Sequence, residues 1–234
     1  VDIFSGNLFF THSDLSVNTN SVPVAVTHVY NGAAENDNTR IGSGWRLNIQ
    51  QKLQPLFEDT YTPEPPDDMG KPLYLYTDAY GVYHYLTLRY YYKRTINNKE
   101  VDQYIESVND YEKLQEAGVS IYNMATDGNF ATGFNSSTQC LYDKEGNELI
   151  FNADGYLTNI KSAFGEYTNS LTIEYVSNTD KISRVYNSDG ALLEISYNLD
   201  GKLSYISNNA TGQMILYEYD ADLLKKITYN PTVS

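Results

Sequence analysis

The feature that most limits how this chain can fold is a motif written three times between residues 171 and 229. The copies LTIEYVSNTDKISRV, LLEISYNLDGKLSYI and MILYEYDADLLKKI alternate apolar and polar residues up to a Tyr, then pass through a polar turn into a shorter apolar run. Tyr175, Tyr197 and Tyr219 stand 22 apart, as do Ile173, Ile195 and Tyr217, and Leu171, Leu193 and Ile215. A constant period of this size marks a repeat architecture, in which each unit buries its apolar face against its neighbours. The fixed phase with Leu171, Leu193 and Ile215 makes the three tyrosines rungs of a packed sheet face rather than a ligand-binding stripe.

From Ser120 onward, short strand patterns are separated by Asp127-Gly128, Asp143 to Gly146, Asp154-Gly155, Phe164-Gly165, Asp189-Gly190, Asp200-Gly201 and Thr211-Gly212. An Asp side chain can hydrogen-bond the turn backbone and Gly accepts positive φ, so these pairs predict a reversal every ~10 residues. The expected sheet is therefore an antiparallel meander. In the returning strands Leu157 and Ile160, Leu203 and Ile206, and Leu224 and Ile227 stand three apart, which places them on opposite faces unless a bulge intervenes. Either a bulge recurs or the second face is also covered.

Residues 1 to 53 read as three strands. After a Gly6-Asn7 turn, Leu8, Phe10 and His12 alternate with Phe9 and Thr11. Val22, Val24, Val26, His28 and Tyr30 line one face of the second strand, and Trp45, Leu47, Ile49, Gln51 and Leu53 line the third. Residues 54 to 72 hold five of the seven prolines, each of which removes a ladder donor, so an exposed surface loop is expected. The aromatic runs LYLYT and VYHYLTLRYYYKRT flank a turn at Asp78 to Gly81 and predict a long hairpin over 73 to 95. Residues 100 to 118 fit either a two-turn helix capped by Asp110 and stopped by Gly118, or interrupted strands.

The formal charge of -14, from 30 acidic and 16 basic residues, excludes the basic stripe that binding a phosphate backbone requires. The acids are scattered through turns, as on an ordinary solvated surface. No apolar run approaches the ~20 residues needed to span a bilayer, so membrane insertion is not expected. Val1 without an initiating Met, and an end at Ser234 without a capping element, read as an excised segment. Cys140 is the single cysteine, so no intrachain disulfide is possible; at the start of an apolar strand it reads as a buried, inert thiol.

Taken together, Asp143-x-x-Gly146, Phe151-x-x-x-Gly155-x-Leu157-x-x-Ile160, Gly165, Tyr175 and Asp200-Gly201-x-Leu203-x-x-Ile206 resemble the YD-repeat pattern of Rhs-type proteins. The front end is similar to the segment preceding the repeats in such proteins, through Asp2, Ser5 to Leu8, Asp14-Leu15, Val26 to Asn31 and Gly42-x-Gly44-Trp45. The version looks closest to cell-wall-associated or secreted members of Gram-positive bacteria. Ser162 stands where the pattern has Asp, and Asn178 to Asp180 replaces an Asp-Gly turn. Residues 54 to 72 and 95 to 136 have no counterpart. The resemblance implies a wall of hairpins that wraps into a shell, which in relatives can enclose a toxic domain. It also implies carbohydrate binding and cell contact. Neither the conserved core that ends the array in complete members nor a toxin-like domain is recognisable here.

Residue types that carry chemistry are sparse. His12, His28 and His84 are far apart in sequence and lack the spacing of a zinc site, so they are expected as plain strand residues. Ser43 in Gly42-Ser43-Gly44 is not in a nucleophile elbow. The turns Asn187 to Gly190 and Asp127 to Asn129 lack the spacing of a calcium loop. No acid pair can be selected for glycoside hydrolysis. Alternation places Tyr83, Tyr85 and Tyr91 on one face of the aromatic hairpin, opposite Tyr90 and Tyr92; with Arg89 and Lys93 they form the one candidate contact patch for carbohydrate or a partner.

The expected fold is all-β, an antiparallel meander of repeated hairpins forming a curved, partly open sheet or partial shell. A segment at 1–136 precedes repeats at 137–234 in one continuous unit. The expected role is a non-catalytic structural module without cofactor or metal, secreted or held at a bacterial cell surface. Its partners are expected to be downstream domains of the parent protein or cell-surface carbohydrate, not nucleic acid. A carbohydrate-binding module is the alternative, followed by a glycosidase.

Overall fold

The computed structural model describes residues 7–34, 39–58, 61–133, 139–163 and 169–230. The Phe164-Gly165 turn, Asp2, Ser5, Gly6 and the 136/137 boundary lie outside these residues. Strands β1 (Phe9–Val17), β2 (Val24–Asn31) and β3 (Trp45–Leu47) form a small antiparallel sheet. All later strands belong to one large sheet. Its first half contains β4 (Lys52–Pro55), β5 (Pro72–Thr77), β6 (Tyr83–Ile96), β7 (Lys99–Tyr104), β8 (Ile121–Thr126) and β9 (Phe130–Thr132), interrupted by the α-helix α1 (Val108–Glu116). The second half contains β10 (Cys140–Asp143), β11 (Glu148–Phe151), β12 (Leu157–Lys161), β13 (Ser170–Tyr175), β14 (Ile182–Asn187), β15 (Leu192–Tyr197), β16 (Leu203–Asn208), β17 (Gln213–Asp220) and β18 (Leu223–Tyr229). The strand order runs from β18 down to β4, with β7 branching off β6, and does not close into a barrel.

The spacing of three in the returning strands is resolved by a recurring bulge. Ladder registers shift at Ile150/Phe151, Glu174/Tyr175, Ser196/Tyr197 and Glu218/Tyr219, where β11, β13, β15 and β17 meet the strand that follows. Thr158, Ser183, Ser204 and Lys225 are the residues left without a ladder partner. As a result Leu203 and Ile206 are both fully buried, and so are Ile182 and Val185 in the preceding repeat. Keeping strict alternation would expose one of each pair at about 1.5–3 kcal/mol, whereas a lost ladder bond costs roughly 1 kcal/mol. Burial therefore outweighs regularity in β14 and β16, while Ile160 of β12 and both Leu224 and Ile227 of β18 are half-buried.

The turns between strands use a device the dipeptide reading assigned to the wrong residue. In Asp154-Gly155, Asp189-Gly190 and Asp200-Gly201 the side chain bonding the turn is not the Asp beside Gly but an Asn two residues earlier. Asn152 Oδ1 accepts from the Asp154 and Tyr156 amides, Asn187 Oδ1 from Asp189 and Ala191, and Asn198 Oδ1 from Lys202. Asp78 and Asp143 do the same in their own Asx-x-x-Gly turns. The Asn or Asp oxygen mimics a backbone acceptor, while Gly three residues later takes positive φ.

Three expectations change in the first half. The third strand is broken, because Gln50 Oε1 accepts from the Leu47 amide and the Gln50 amide bonds Leu47 O, turning the chain at Asn48 to Gln51 from the small sheet into the large one. Residues 100 to 118 contain both readings in succession, strand β7 and then helix α1, and the helix is capped by Ser107 rather than Asp110. Ser107 Oγ accepts from the Asp110 amide at 3.2 Å, Tyr111 packs edge-on against Tyr90 at 5.2 Å, and Gly118 at φ 72° ends the element. The proline-rich segment is not a plain excursion, since Phe57, Tyr61 and Met69 pack against the core.

The front of the chain is tied to the repeats along their length. The Leu53 amide bonds Gly155 O at 2.9 Å, the Leu157 amide bonds Gln51 O at 3.2 Å, and the Leu203 amide bonds Arg40 O at 2.8 Å. A Cβ on Gly155 would lie 2.2 Å from Leu53 O, so only glycine permits the first of these approaches. Asn187 Nδ2 donates to Thr19 Oγ1 at 2.8 Å and Val22 O at 2.9 Å. Because Asn187 is buried and serves both its turn and this tether, Asn187→Ala is expected to cost about 1–3 kcal/mol more than Asn198→Ala, whose side chain serves an exposed turn. Equilibrium urea unfolding of both variants checks this; equal costs would show that the tether adds nothing.

Candidate functional site

The five residues expected to form one contact patch lie on one face of β6 but in two places. Tyr83 and Tyr85 are exposed near its start, with Leu75 and Thr77 of β5 opposite them. Tyr91 and Lys93 lie about 20 Å further along, six to eight residues at roughly 3.3 Å each. There Tyr91 stacks on Tyr122 of β8 at 5.5 Å and tilts against Tyr104 of β7 at 6.3 Å. Lys93 Nζ is 3.0 Å from Asp102 and 6.0 Å from the Tyr91 ring centre. Arg89, opposite Met124, lies between the two groups. The hydrogen bond from Lys93 to Asp102 holds the ammonium above its ordinary pKa, and partial burial raises that of the Tyr91 phenol. Tyr104 and Tyr122 come from the segment without a counterpart in the resemblance; the cross-strand register that brings them to Tyr91 is not written locally.

A second feature lies beside Tyr83. A cavity of about 250 Å³ is lined by Gln50, Gln51, Gln54, Tyr83, Tyr156 and Tyr175, with Asp180 at one side. The Tyr156 and Tyr175 ring centres are 5.6 Å apart, and Lys52 Nζ lies 5.1 Å from the Tyr156 ring. Asp180 is held by Arg40, whose Nη2 donates to Oδ1 at 2.8 Å and Nε to Oδ2 at 3.2 Å. Arg46 and Lys52 line it as well, and the Gln50 and Gln51 amides are engaged by Leu47, Thr39, Tyr76 and Asn48. The tyrosine faces and Gln54 are therefore what it offers a polyhydroxylated ligand, in a volume just below the usual range of ~300–1,000 Å³. The alternation from Trp45 to Leu53 gave no signal for it beyond Gln51, a polar residue in an otherwise apolar row.

Other residues singled out from sequence take structural places. Cys140 is half-buried rather than buried, donates to Glu148 Oε1 at 3.3 Å, and burial pushes its thiol up to about 11, so it stays protonated at neutral pH. His84 bridges Asp127 Oδ2 at 2.8 Å and Asp78 Oδ2 at 3.3 Å, joining two turns. The oxygen-rich turn at Asn187 is spent on the front segment, where Asp189 Oδ2 accepts from the Ser21 amide. His12 and His28, distant in sequence, are cross-strand partners with stacked rings 5.3 Å apart, and the carboxylate of Asp14 lies between them.

The tyrosine rungs are packed as the repeat implied. Tyr175 donates to Leu157 O at 2.9 Å, Lys181 lies over Tyr197 and Lys202 over Tyr219. Burial raises the phenol pKa of Tyr76, Tyr175, Tyr197, Tyr217 and Tyr219 well above the ordinary value of 10.0. A raised folded pKa means the unfolded chain sheds these protons first, so their contribution is complete below pH ~10 and is lost as pH rises beyond it. The buried phenols' share of the phenolate absorbance, the last to appear, is therefore expected to grow in step with loss of the β circular-dichroism signal. Ionisation of nearly all phenols with that signal intact would contradict the packing.

Residues 1–68 match a family model described as a domain of unknown function, DUF6531. Among solved structures, the crystal structure of TcdB2-TccC3-TEV is similar over 95% of this chain and 10% of that chain, at 12% identity and a TM-score of 0.33. The chain thus spans about a tenth of the length of that solved chain. No curated protein matches the sequence.

Proposed function

We propose that this chain is a non-catalytic structural module, the start of an Rhs/YD-type β-shell in an exported bacterial protein, acting as scaffold or enclosure for other parts of that protein. The observation that carries it is the bulge that recurs in the four hairpins β11–β12, β13–β14, β15–β16 and β17–β18, with Asx-x-x-Gly turns at Asn152, Asn187 and Asn198 and fully buried apolar pairs in β14 and β16. Such a unit builds wall. The family match on residues 1–68 supports the reading, because it falls on the segment that resembles the front of Rhs/YD proteins. Among the described residues strand β18 has β17 as its one partner and carries Leu223 and Tyr229 exposed, an edge suited to pairing with a further hairpin. The cavity beside Tyr83 has one lining carboxylate among the described residues, Asp180, and it is held by Arg40; glycoside hydrolysis uses two.

Hydrogen exchange tests the wall. Outward-facing β18 amides should exchange freely in the 234-residue chain and become protected in the parent protein; amides that stay unprotected there would overturn the reading.

The cavity favours one second reading, a carbohydrate-binding module. In calorimetric titration with neutral glycans, Tyr83→Ala is expected to lower affinity about 5-fold, the worth of one aromatic contact near 1 kcal/mol. Loss on Tyr91→Ala instead would move the site to the Tyr91, Tyr104 and Tyr122 cluster. Absence of glycan binding removes this reading and leaves the first.

A further inference from the structure

The convergence at Asp14 points to a metal site. Asp14 is the bulged residue of β1, between Ser13 and Leu15 in the ladder with β2, and its carboxylate has no solvent exposure. Its Oδ1 lies 2.5 Å from His28 Nδ1, 3.4 Å from His12 Nδ1 and 3.0 Å from the Tyr229 hydroxyl. The Tyr229 oxygen is itself 2.9 Å from His12 Nδ1, and the two imidazole nitrogens and the carboxylate oxygen all lie within 4.8 Å of one another. Tyr217 donates to the other carboxylate oxygen, Oδ2, at 2.7 Å.

We propose that His12 Nδ1, His28 Nδ1, Asp14 Oδ1 and the Tyr229 hydroxyl oxygen form a tetrahedral site for zinc. Four ligands about 2.0–2.1 Å from a central zinc stand about 3.3 Å from each other; three of the separations, at 2.9, 3.0 and 3.4 Å, approach that edge, and the fourth, His28 Nδ1 to Asp14 Oδ1 at 2.5 Å, is a short hydrogen-bond distance that would open by about 0.8 Å. Two imidazoles and a carboxylate are an ordinary zinc donor set. The supporting shell is in place as well. Tyr217 fixes the carboxylate through its second oxygen, as outer hydrogen bonds do at metal centres. Phe10 and Trp45 pack against His28 at 5.9 and 5.4 Å and shield it, while His12, half-exposed, gives the ion a way in.

The site joins the first strand to the last hairpin, since Asp14 and Tyr229 are 215 positions apart. Bound zinc would clasp the small sheet to the C-terminal end of the large one, and its binding energy would add to folding stability. The same atoms can also hold each other by protons alone: His28 and Tyr229 donating to Oδ1, His12 donating to the Tyr229 oxygen. Zinc needs the lone pair at each Nδ1, so each neutral imidazole would carry its one proton on Nε2 instead; the two states differ in tautomer, not in the number of protons held.

The test is calorimetric titration of the chelator-treated 234-residue chain with zinc chloride, with melting temperature as a second readout. Expected are one zinc per chain, a higher melting temperature, and an affinity lowered by at least about 10- to 100-fold in His12→Ala. His84→Gln should bind zinc as the wild type does. His12→Gln serves as a second variant, and metal-free melting temperatures report whether either variant perturbs the fold. No saturable binding, or affinity unchanged in both His12 variants, would overturn the proposal in favour of the proton-held clasp.

Discussion

Each returning strand must turn two apolar residues, three positions apart, toward the same side of a sheet whose side chains alternate. One unpaired residue per strand, at Thr158, Ser183, Ser204 and Lys225, satisfies that demand. Much of the remaining architecture follows. A bulge increases local twist and bends the strand that carries it, so a bulge at the same place in successive hairpins bends the sheet in the same sense each time. The buried row Ile173, Ile182, Val185, Ile195, Leu203, Ile206, Ile215 then becomes one continuous apolar surface.

A sheet with one apolar face needs a second layer to cover it. The chain supplies much of this from its own front end, and the attachments are polar and specific. Arg40, Gln51 and Leu53 meet the repeats through backbone bonds, the Thr19 side chain and the Val22 carbonyl through Asn187, and Asp14 through Tyr217. Polar ties of this kind fix position, whereas apolar contact alone would allow the layers to slide. They also account for the turn chemistry. An Asn at the head of a turn has an oxygen for its own loop and an amide to spare for a neighbour, and Asn187 uses both.

The same division explains where chemistry can reside. Aromatic residues on the buried face are rungs with protonated phenols. Those on the open face of β6 fall into two groups, one against a glutamine-lined cavity and one stacked with β7 and β8. Many acids that composition presented as a loose negative surface are engaged: Asp127 holds His84, Asp180 holds Arg40, and Asp189 holds Ser21. Backbone amides at Asn129 and Phe130 and the His84 ring keep Asp127 ionised below the usual carboxylate range, against the opposing effect of its burial.

The sequence by itself determined the repeat, the antiparallel meander, the packed phase of Tyr175, Tyr197 and Tyr219, and the choice between a bulge and a covered second face. These are local matters of period two, spacing three and turn residues, all read within ~20 positions. Tertiary structure alone decided which alternative held, that the strand expected from Trp45 to Leu53 breaks at Asn48, and that Tyr91 belongs with Tyr104 and Tyr122 rather than with Tyr83. It also decided that His12, His28 and Asp14 meet Tyr229. Contacts such as these depend on ladder register and on how the front segment lies against strands more than a hundred residues away. No local spacing encodes them, because the energy that selects them comes from burial summed over the whole sheet.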